Sequence, residues 1–236
     1  AILYTWMEKK DLVDVLTPIN GYEWPVPMPK DANLDLVHIE MLNHGAEYAW
    51  LDVLCLRQAR GQREDLHVEE WKLDVPTIRQ VYHESHDGVM CYLSGLGLKE
   101  EDLESDRCWF RWAWTLQEVS IDMSICGDTG DDRFISKEMQ ARIENQLLQL
   151  WENSDITYQG IPTFLVLSEM WKHMSTNPVD KVAGLSYLLW TAKIPPYYAS
   201  QSQEEAWTAL VHVMDAGVRG HMLFLYPKDG DRKKCW

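Results

Sequence analysis

The chain has 236 residues and a formal net charge of −15, from 37 acidic residues against 22 lysines and arginines. This acidity argues against binding to nucleic-acid phosphates or to anionic membranes, because both need clustered lysine and arginine side chains. No apolar run approaches the roughly 18 residues that span a bilayer, and the first residues lack the apolar stretch of a secretory signal. We therefore expect a cytoplasmic protein that binds neither nucleic acid nor membrane.

The five cysteines form no CxxC pair and no cluster with histidine at zinc-ligand spacing. An odd number of cysteines in a chain of this size is typical of reduced, intracellular thiols. The sequence therefore predicts no metal site and no resident cofactor. The chain also has twelve tryptophans. Because tryptophan is first of all a buried anchor, we expect most of them in the core.

The first predicted element is a strand over the short apolar run at residues 1–5. The loop that follows should contain no regular element, because it carries the breakers Pro18, Gly21, Pro25, Pro27 and Pro29. Residues 33–43 have the apolar spacing of a helix, and Gly45 lies where a C-terminal cap belongs.

Residues 48–56 form a nearly continuous apolar run interrupted by Asp52, which is typical of a buried parallel strand. Asp74 begins a further predicted helix, and residues 89–93 predict the next strand. Together these elements form a β-α-β-α-β pattern, which indicates a parallel sheet with right-handed crossovers.

The second half of the chain is predicted to be mainly helical. Residues 107–119 predict a helix, residues 121–126 a fourth strand and residues 222–226 a last strand. Helical apolar spacing recurs over residues 139–151, 162–174, 179–189 and 204–216. We therefore divide the chain into an α/β core at residues 1–130 and a helical extension at residues 131–236, packed on the core as one compact unit.

Asp52 is the first candidate for a functional residue. It lies toward the end of a predicted buried strand, and open α/β sheets bind ligands at the carboxyl ends of their strands. A carboxylate buried there needs a partner or a raised pKa. The alternative role is structural, either as a cap for a following helix or turn or as a partner for Arg57 or Arg60.

Glu118 is the second candidate. On a helix from residue 108, Arg111, Trp114 and Glu118 share one face. A guanidinium, an aromatic ring and a carboxylate together suit a planar or ribose-bearing ligand. Glu118 lies in the last predicted turn, where the helix dipole disfavours an anion, and such a broken local rule favours a functional explanation. The alternative is a structural bridge between Arg111 and Glu118, with Trp114 packed over it.

Four segments, taken in order, resemble the motifs of the fungal heterokaryon incompatibility (HET) domain family. They are AILYTW at residues 1–6, WLDVLCLRQ at 50–58, WFRWAWTLQEV at 109–119 and NPVDKVAGL at 177–185. The corresponding family patterns are A-x-S-Y-x-W-G, W-x-D-x-x-C-I-x-Q, W-F-x-R-x-W-x-x-Q-E and D-P-x-D-K-x-Y-A-L. The chain departs from these patterns at Leu3 (Ser in the family), Met7 (Gly), Arg57 (Asn) and Trp112 (Arg).

The resemblance implies a Rossmann- or flavodoxin-like parallel sheet, similar to that of TIR domains, followed by a mainly helical C-terminal part. It also implies a self-associating effector of fungal non-self recognition, innate immunity and programmed cell death. Some TIR domains hydrolyse NAD through a glutamate in a segment similar to residues 114–118, so NAD is the expected substrate. By this resemblance we expect Glu118 and Asp52 to be catalytic. We expect substrate binding by Tyr4, Trp6, Arg111, Trp114 and Gln117. A non-enzymatic oligomerising module and a degenerate, inactive copy are the alternatives.

Overall fold

The computed structural model describes residues 1–5, 9–30, 32, 34–85, 88–92, 105–106, 108–120, 123–126, 137–154, 163–189 and 191–225. The strands within these ranges are β1 (Ile2–Leu3), β2 (Leu12–Val15), β3 (Val26–Pro29), β4 (Val89–Tyr92) and β5 (Met123–Cys126). The helices of the first half are α1 (Leu34–Asn43), α2 (Asp52–Cys55), α3 (His67–Asp74), α4 (Ile78–His83) and α5 (Thr115–Glu118). Those of the second half are α6 (Lys137–Ser154), α7 (Thr163–Lys172), α8 (Pro178–Leu188), α9 (Gln203–Val213) and α10 (Ala216–Leu225).

The main sheet is parallel and runs in the order β1, β4, β5. Ile2 lies opposite Met90, and Val89 lies opposite Met123. Every residue of β4 is buried, as expected for a central parallel strand that is covered on both faces. The prediction of a mixed α/β fold around a parallel sheet is therefore confirmed.

Successive side chains of the strands enter two different apolar clusters, because a strand alternates its side chains between the faces of the sheet. Leu3 and Cys91 belong to a larger cluster that also contains side chains of α4 to α9. Ile2 and Met90 belong to a smaller cluster with side chains of β3, α1 and α2. Residues from both halves of the chain thus share the larger cluster. The domain division at residue 130 stays a prediction, since residues 127–136 lie outside the described residues.

The prediction that the proline-rich loop has no regular element is wrong. β2 and β3 pair antiparallel, with Pro27 opposite Asp14 and Pro29 opposite Leu12. Both strands are edge strands, because this sheet has only these two strands. Proline is tolerated in an edge strand, since the side on which its N–H group is missing need not face a partner strand.

The predicted strand over residues 48–56 is also wrong. The N–H of Ile2 donates to the carbonyl of Trp50 at 2.9 Å, and this hydrogen bond places the start of the segment beside β1. The chain then turns into α2, which begins at Asp52. An apolar run of this length is equally typical of a buried strand and of a short buried helix, so periodicity could not separate the two.

The predicted helix over residues 107–119 is broken in the middle. A 3₁₀ turn covers Trp109–Arg111, and Trp112 is extended, with φ −94° and ψ 147°. Met174 replaces the missing helical partners: its N–H donates to the Arg111 carbonyl at 2.6 Å, and its carbonyl accepts from the Ala113 N–H at 2.8 Å. A contact between distant parts of the chain thus overrides the local helical preference.

The remaining elements follow the sequence more closely. Gly45 has a φ of +69°, and the N–H groups of Gly45 and Ala46 close the end of α1 on the carbonyls of Leu42 and Met41. This is the glycine cap that the sequence predicts. Helices α6 to α9 lie over the segments with helical apolar spacing. The last predicted strand is wrong, because residues 222–225 belong to α10. Among the described residues, none of the helices combines the length and apolar character needed to cross a membrane.

Candidate functional site

Glu118 ends α5 and is only 7% exposed. Its carboxylate oxygen Oε2 accepts a hydrogen bond of 2.7 Å from the indole N–H of Trp109. The two residues meet because the Thr115 hydroxyl donates to the Trp109 carbonyl and folds the 3₁₀ turn back against α5. Burial raises the pKa of Glu118 to about 8, the Trp109 hydrogen bond opposes this rise, and the charge of Asp52 adds to it. The carboxyl group of Glu118 is therefore largely protonated at neutral pH.

Asp52 is the first residue of α2 and is likewise 7% exposed. Its Oδ1 accepts a hydrogen bond of 2.6 Å from the N–H of Val53. The hydrogen bond between Ile2 and Trp50 sets the chain before Asp52 alongside β1, which brings Asp52 close to the residue that follows β1. That residue is Tyr4. The Asp52 carboxylate therefore lies at the carboxyl end of the first strand of the sheet.

Tyr4 joins the two carboxyl groups into one site. Its side chain is buried, and the pKa of its phenol is raised well above the usual value. Burial is the largest cause, followed by the charge of Asp52, a hydrogen bond with Asp52 and the charge of Glu118. Tyr4, Asp52 and Glu118 come from three separate segments of the chain, and the structure brings them together. We call these three residues the carboxyl site.

The other predicted site residues lie elsewhere. Arg111 has a side chain that is 44% exposed and forms an ion pair of 3.5 Å with Asp106. The break at Trp112 removes Arg111 from the helix face that carries Glu118. Among the described contacts, Glu118 is bound by Trp109 rather than by Arg111.

Trp114 and Gln117 have packing partners in the C-terminal half. Trp114 is half-buried, with its ring centroid 6.4 Å from that of Tyr197. The buried side-chain amide of Gln117 donates to the carbonyls of Ala183 and Gly184, at 3.1 and 2.8 Å, and so ties α5 to α8. Trp6, the remaining predicted binding residue, lies outside the described residues.

The hydrogen bonds and ion pairs also bear on the two structural roles considered for Asp52, a helix cap and a partner for Arg57 or Arg60. Its hydrogen bond to the Val53 N–H satisfies a free donor at the start of α2, which supports a capping role. The two proposed cationic partners bind other carboxylates. Arg57 contacts Glu70 and Glu23 at 2.9 and 3.3 Å, and Arg60 contacts Asp14 at 2.6 Å.

Two residues that lie near the carboxyl site were not indicated by any pattern in the sequence. Trp109 belongs to the same tryptophan-rich segment as Glu118, but a spacing of nine residues indicates no contact on a helix. Tyr82, on α4, is buried close to both carboxyl groups, and their charges raise the pKa of its phenol after burial itself. No motif of the sequence points to Tyr82, because its place depends on how α4 packs against α5.

No group of three or more histidine, cysteine, aspartate or glutamate side chains within the described ranges could hold a metal ion. A small cavity of about 20 Å³, room for one water molecule, lies between α8, α9 and the loop with Tyr197, away from the carboxyl site. Comparisons of the chain with protein-family models, curated proteins and solved structures give no match.

Proposed function

We propose that this chain is a HET-type effector domain of fungal non-self recognition, which triggers programmed cell death in the cytoplasm by hydrolysing NAD. One observation carries the proposal: Asp52 and Glu118, from two separate motif segments, belong to one buried electrostatic site with Tyr4. A pair of carboxyl groups, one of them with a raised pKa, is a common arrangement for cleaving a glycosidic bond. Burying two acidic groups in one desolvated site costs folding free energy, and a local rule broken at such a cost favours a functional role.

The proposed reaction breaks the bond between C1′ of the ribose and the nicotinamide nitrogen. The bonding electrons leave with the nicotinamide, which becomes neutral, and positive charge develops on the ribose. A water molecule then forms the new bond to C1′ and releases a proton to the solvent. Glu118 binds the ribose hydroxyls and, once ionised, stabilises the developing cation, while Asp52 orients Glu118 or supplies a second negative charge.

The raised pKa of Glu118 fits this scheme. Without a ligand, burial and the charge of Asp52 keep Glu118 protonated up to about pH 8. A bound nicotinamide ring carries a positive charge and favours the ionised carboxylate. We therefore expect kcat/KM to rise with pH and to level off above the pKa of Glu118 in the free protein.

The experiment measures NAD loss and nicotinamide release by chromatography over a range of protein concentrations that permits self-association. Asp52→Asn and Glu118→Gln should each abolish hydrolysis, whereas Glu152→Gln, an exposed glutamate on α6, should leave it unchanged. The proposal fails if NAD stays intact at every concentration and Glu118→Ala remains toxic to cells.

A non-enzymatic oligomerising module is the second candidate. It is favoured by apolar side chains that are left on the surface of neighbouring helices, with Trp171 on α7 62% exposed and Phe224 on α10 85% exposed. Light scattering and toxicity assays on Trp171→Ser and Phe224→Ser separate the two functions. Toxicity that follows assembly and survives Asp52→Asn and Glu118→Gln supports the module. A stable fold with neither toxicity nor hydrolysis supports an inactive copy.

A further inference from the structure

The helix that carries Asp52 depends on a side chain from another part of the chain. Helix α2 is only four residues long, and Leu51 before it supplies no side-chain cap. A helix this short is not stable without outside contacts. The carbonyl of Val53 accepts a buried hydrogen bond of 3.0 Å from the indole N–H of Trp24, and the N–H of Val53 donates to Asp52. Trp24 therefore fixes the residue to which the Asp52 carboxylate is bound.

The Trp24 ring is itself held by Arg57. The ring is buried, and the guanidinium carbon of Arg57 lies 5.1 Å from its centroid. Ion pairs of 2.9 Å with Glu70, on α3, and of 3.3 Å with Glu23 orient the guanidinium. A planar guanidinium can stack on an indole while its N–H groups bind carboxylates. Arg57 therefore connects the Trp24 ring to α3.

The carbonyls that follow α2 are also bound by side chains. The Leu56 carbonyl accepts from the side-chain amide of Gln58 at 2.8 Å, and the Arg57 carbonyl accepts from the indole N–H of Trp71, on α3. Two tryptophans thus hold the segment that contains α2, one on each side of its end. Of the two, Trp24 lies in the apolar cluster that also contains Tyr4, so its contact belongs to the surroundings of the carboxyl site.

We propose that Trp24 and Arg57 are positioning residues of the carboxyl site: Arg57 holds the Trp24 ring, and the Trp24 indole N–H holds Val53 and with it the Asp52 carboxylate. For the reaction this inference rests on the proposed function, in which Asp52 orients Glu118 or supplies a second negative charge. Because Trp24 acts through Asp52 and not on the substrate, Trp24→Phe should lower kcat by about tenfold or more while KM stays close to the wild-type value.

The central test needs no nucleotide and compares two substitutions. Trp24→Phe keeps an aromatic ring beneath Arg57 and removes the indole N–H that binds Val53. The matched control is Trp112→Phe, which removes an indole N–H that binds the Asp106 carbonyl at the surface, at 3.2 Å. Hydrogen exchange of the Val53 amide, followed by NMR, should become about tenfold faster in Trp24→Phe relative to the amides of α9, and the control should leave this ratio unchanged. The ratio separates the local effect from a change in overall stability.

A second readout observes Asp52 itself. At one fixed pH, the ¹³C resonance of the Asp52 carboxyl carbon should move in Trp24→Phe, because the hydrogen bond from Val53 changes. The same resonance should stay in place in Trp112→Phe.

A third substitution keeps every tryptophan, in case Trp24→Phe fails to fold. Arg57→Gln removes the guanidinium that stacks on Trp24. Its control is Arg60→Gln, which removes an exposed guanidinium that pairs with Asp14. The Val53 exchange ratio should be about threefold higher in Arg57→Gln than in the control, from the loss of the contact between the cation and the ring.

The inference is overturned if Trp24→Phe and Trp112→Phe give the same Val53 exchange ratio, or if the Asp52 resonance is the same in both. It is also overturned if Arg57→Gln and Arg60→Gln exchange alike at Val53. The proposed function fails separately, when NAD remains intact although the Val53 exchange and the Asp52 resonance behave as expected.

Discussion

Replacing Glu118 by glutamine should stabilise the protein, and the gain should increase with pH. In the folded chain the pKa of Glu118 is about 8, against 4.5 for an unperturbed glutamate. A folded-state pKa above the unfolded one means that the folded state binds the proton more tightly. The stability of the wild-type protein is therefore fully present below pH 4.5 and is lost as the pH rises through about 8.

The size of the effect follows from the two pKa values. One pH unit corresponds to about 1.4 kcal/mol, so the complete loss is about 5 kcal/mol, of which about 3–4 kcal/mol falls between pH 5 and pH 8. Glutamine has nearly the same shape and carries no charge, and its side-chain oxygen can still accept the indole N–H of Trp109. Glu118→Gln should therefore escape the loss while keeping the hydrogen bond.

The assay is urea denaturation of the wild-type protein and of Glu118→Gln across this pH range. The difference in unfolding free energy removes the contribution of the other titrating groups to a first approximation, and it should widen steadily toward pH 8. Glu152→Gln is the control, and its difference from the wild type should stay flat. A difference for Glu118→Gln that does not change with pH would refute the reasoning, because it would mean that folding does not raise the pKa of Glu118.

Two further substitutions test other contacts. Gly61→Ala would place a Cβ against the side chain and backbone of Trp24, whereas the same change at Gly220, in α10, meets nothing within 4 Å. Thermal denaturation should show that Gly61→Ala is destabilised by about 1–3 kcal/mol and that Gly220→Ala is stabilised by up to about 1 kcal/mol. Equal effects of the two substitutions would show that Gly61 is not packed closely against Trp24. Trp109→Phe removes the hydrogen bond that lowers the pKa of Glu118, so the loss of stability should begin at the same pH but continue to higher pH in a urea series extended above pH 8. An unmoved pH dependence would show that this hydrogen bond does not act on the carboxyl group.

The sequence alone determined the elements whose causes are local. Gly45 ends α1 in the left-handed conformation that a residue without a side chain adopts most easily. Asn177 and Asp180 cap the start of α8 reciprocally, with proline in the first turn, so the cause of this helix start is also local. The sequence also predicted strands over residues 1–5 and 89–93, where β1 and β4 lie. The carboxylates Asp52 and Glu118 could be selected because each interrupts an apolar or tryptophan-rich segment.

The tertiary structure alone decided how these residues meet. The hydrogen bonds with Met174 break the predicted helix, so Arg111 leaves the face of Glu118 while Trp109 folds back onto it. The pairing of Ile2 with Trp50 brings Asp52 to Tyr4. Each of these contacts joins residues that are far apart in the chain or out of helical register. Local spacing carries no information about them, because their free energy depends on the packing of whole elements around one sheet.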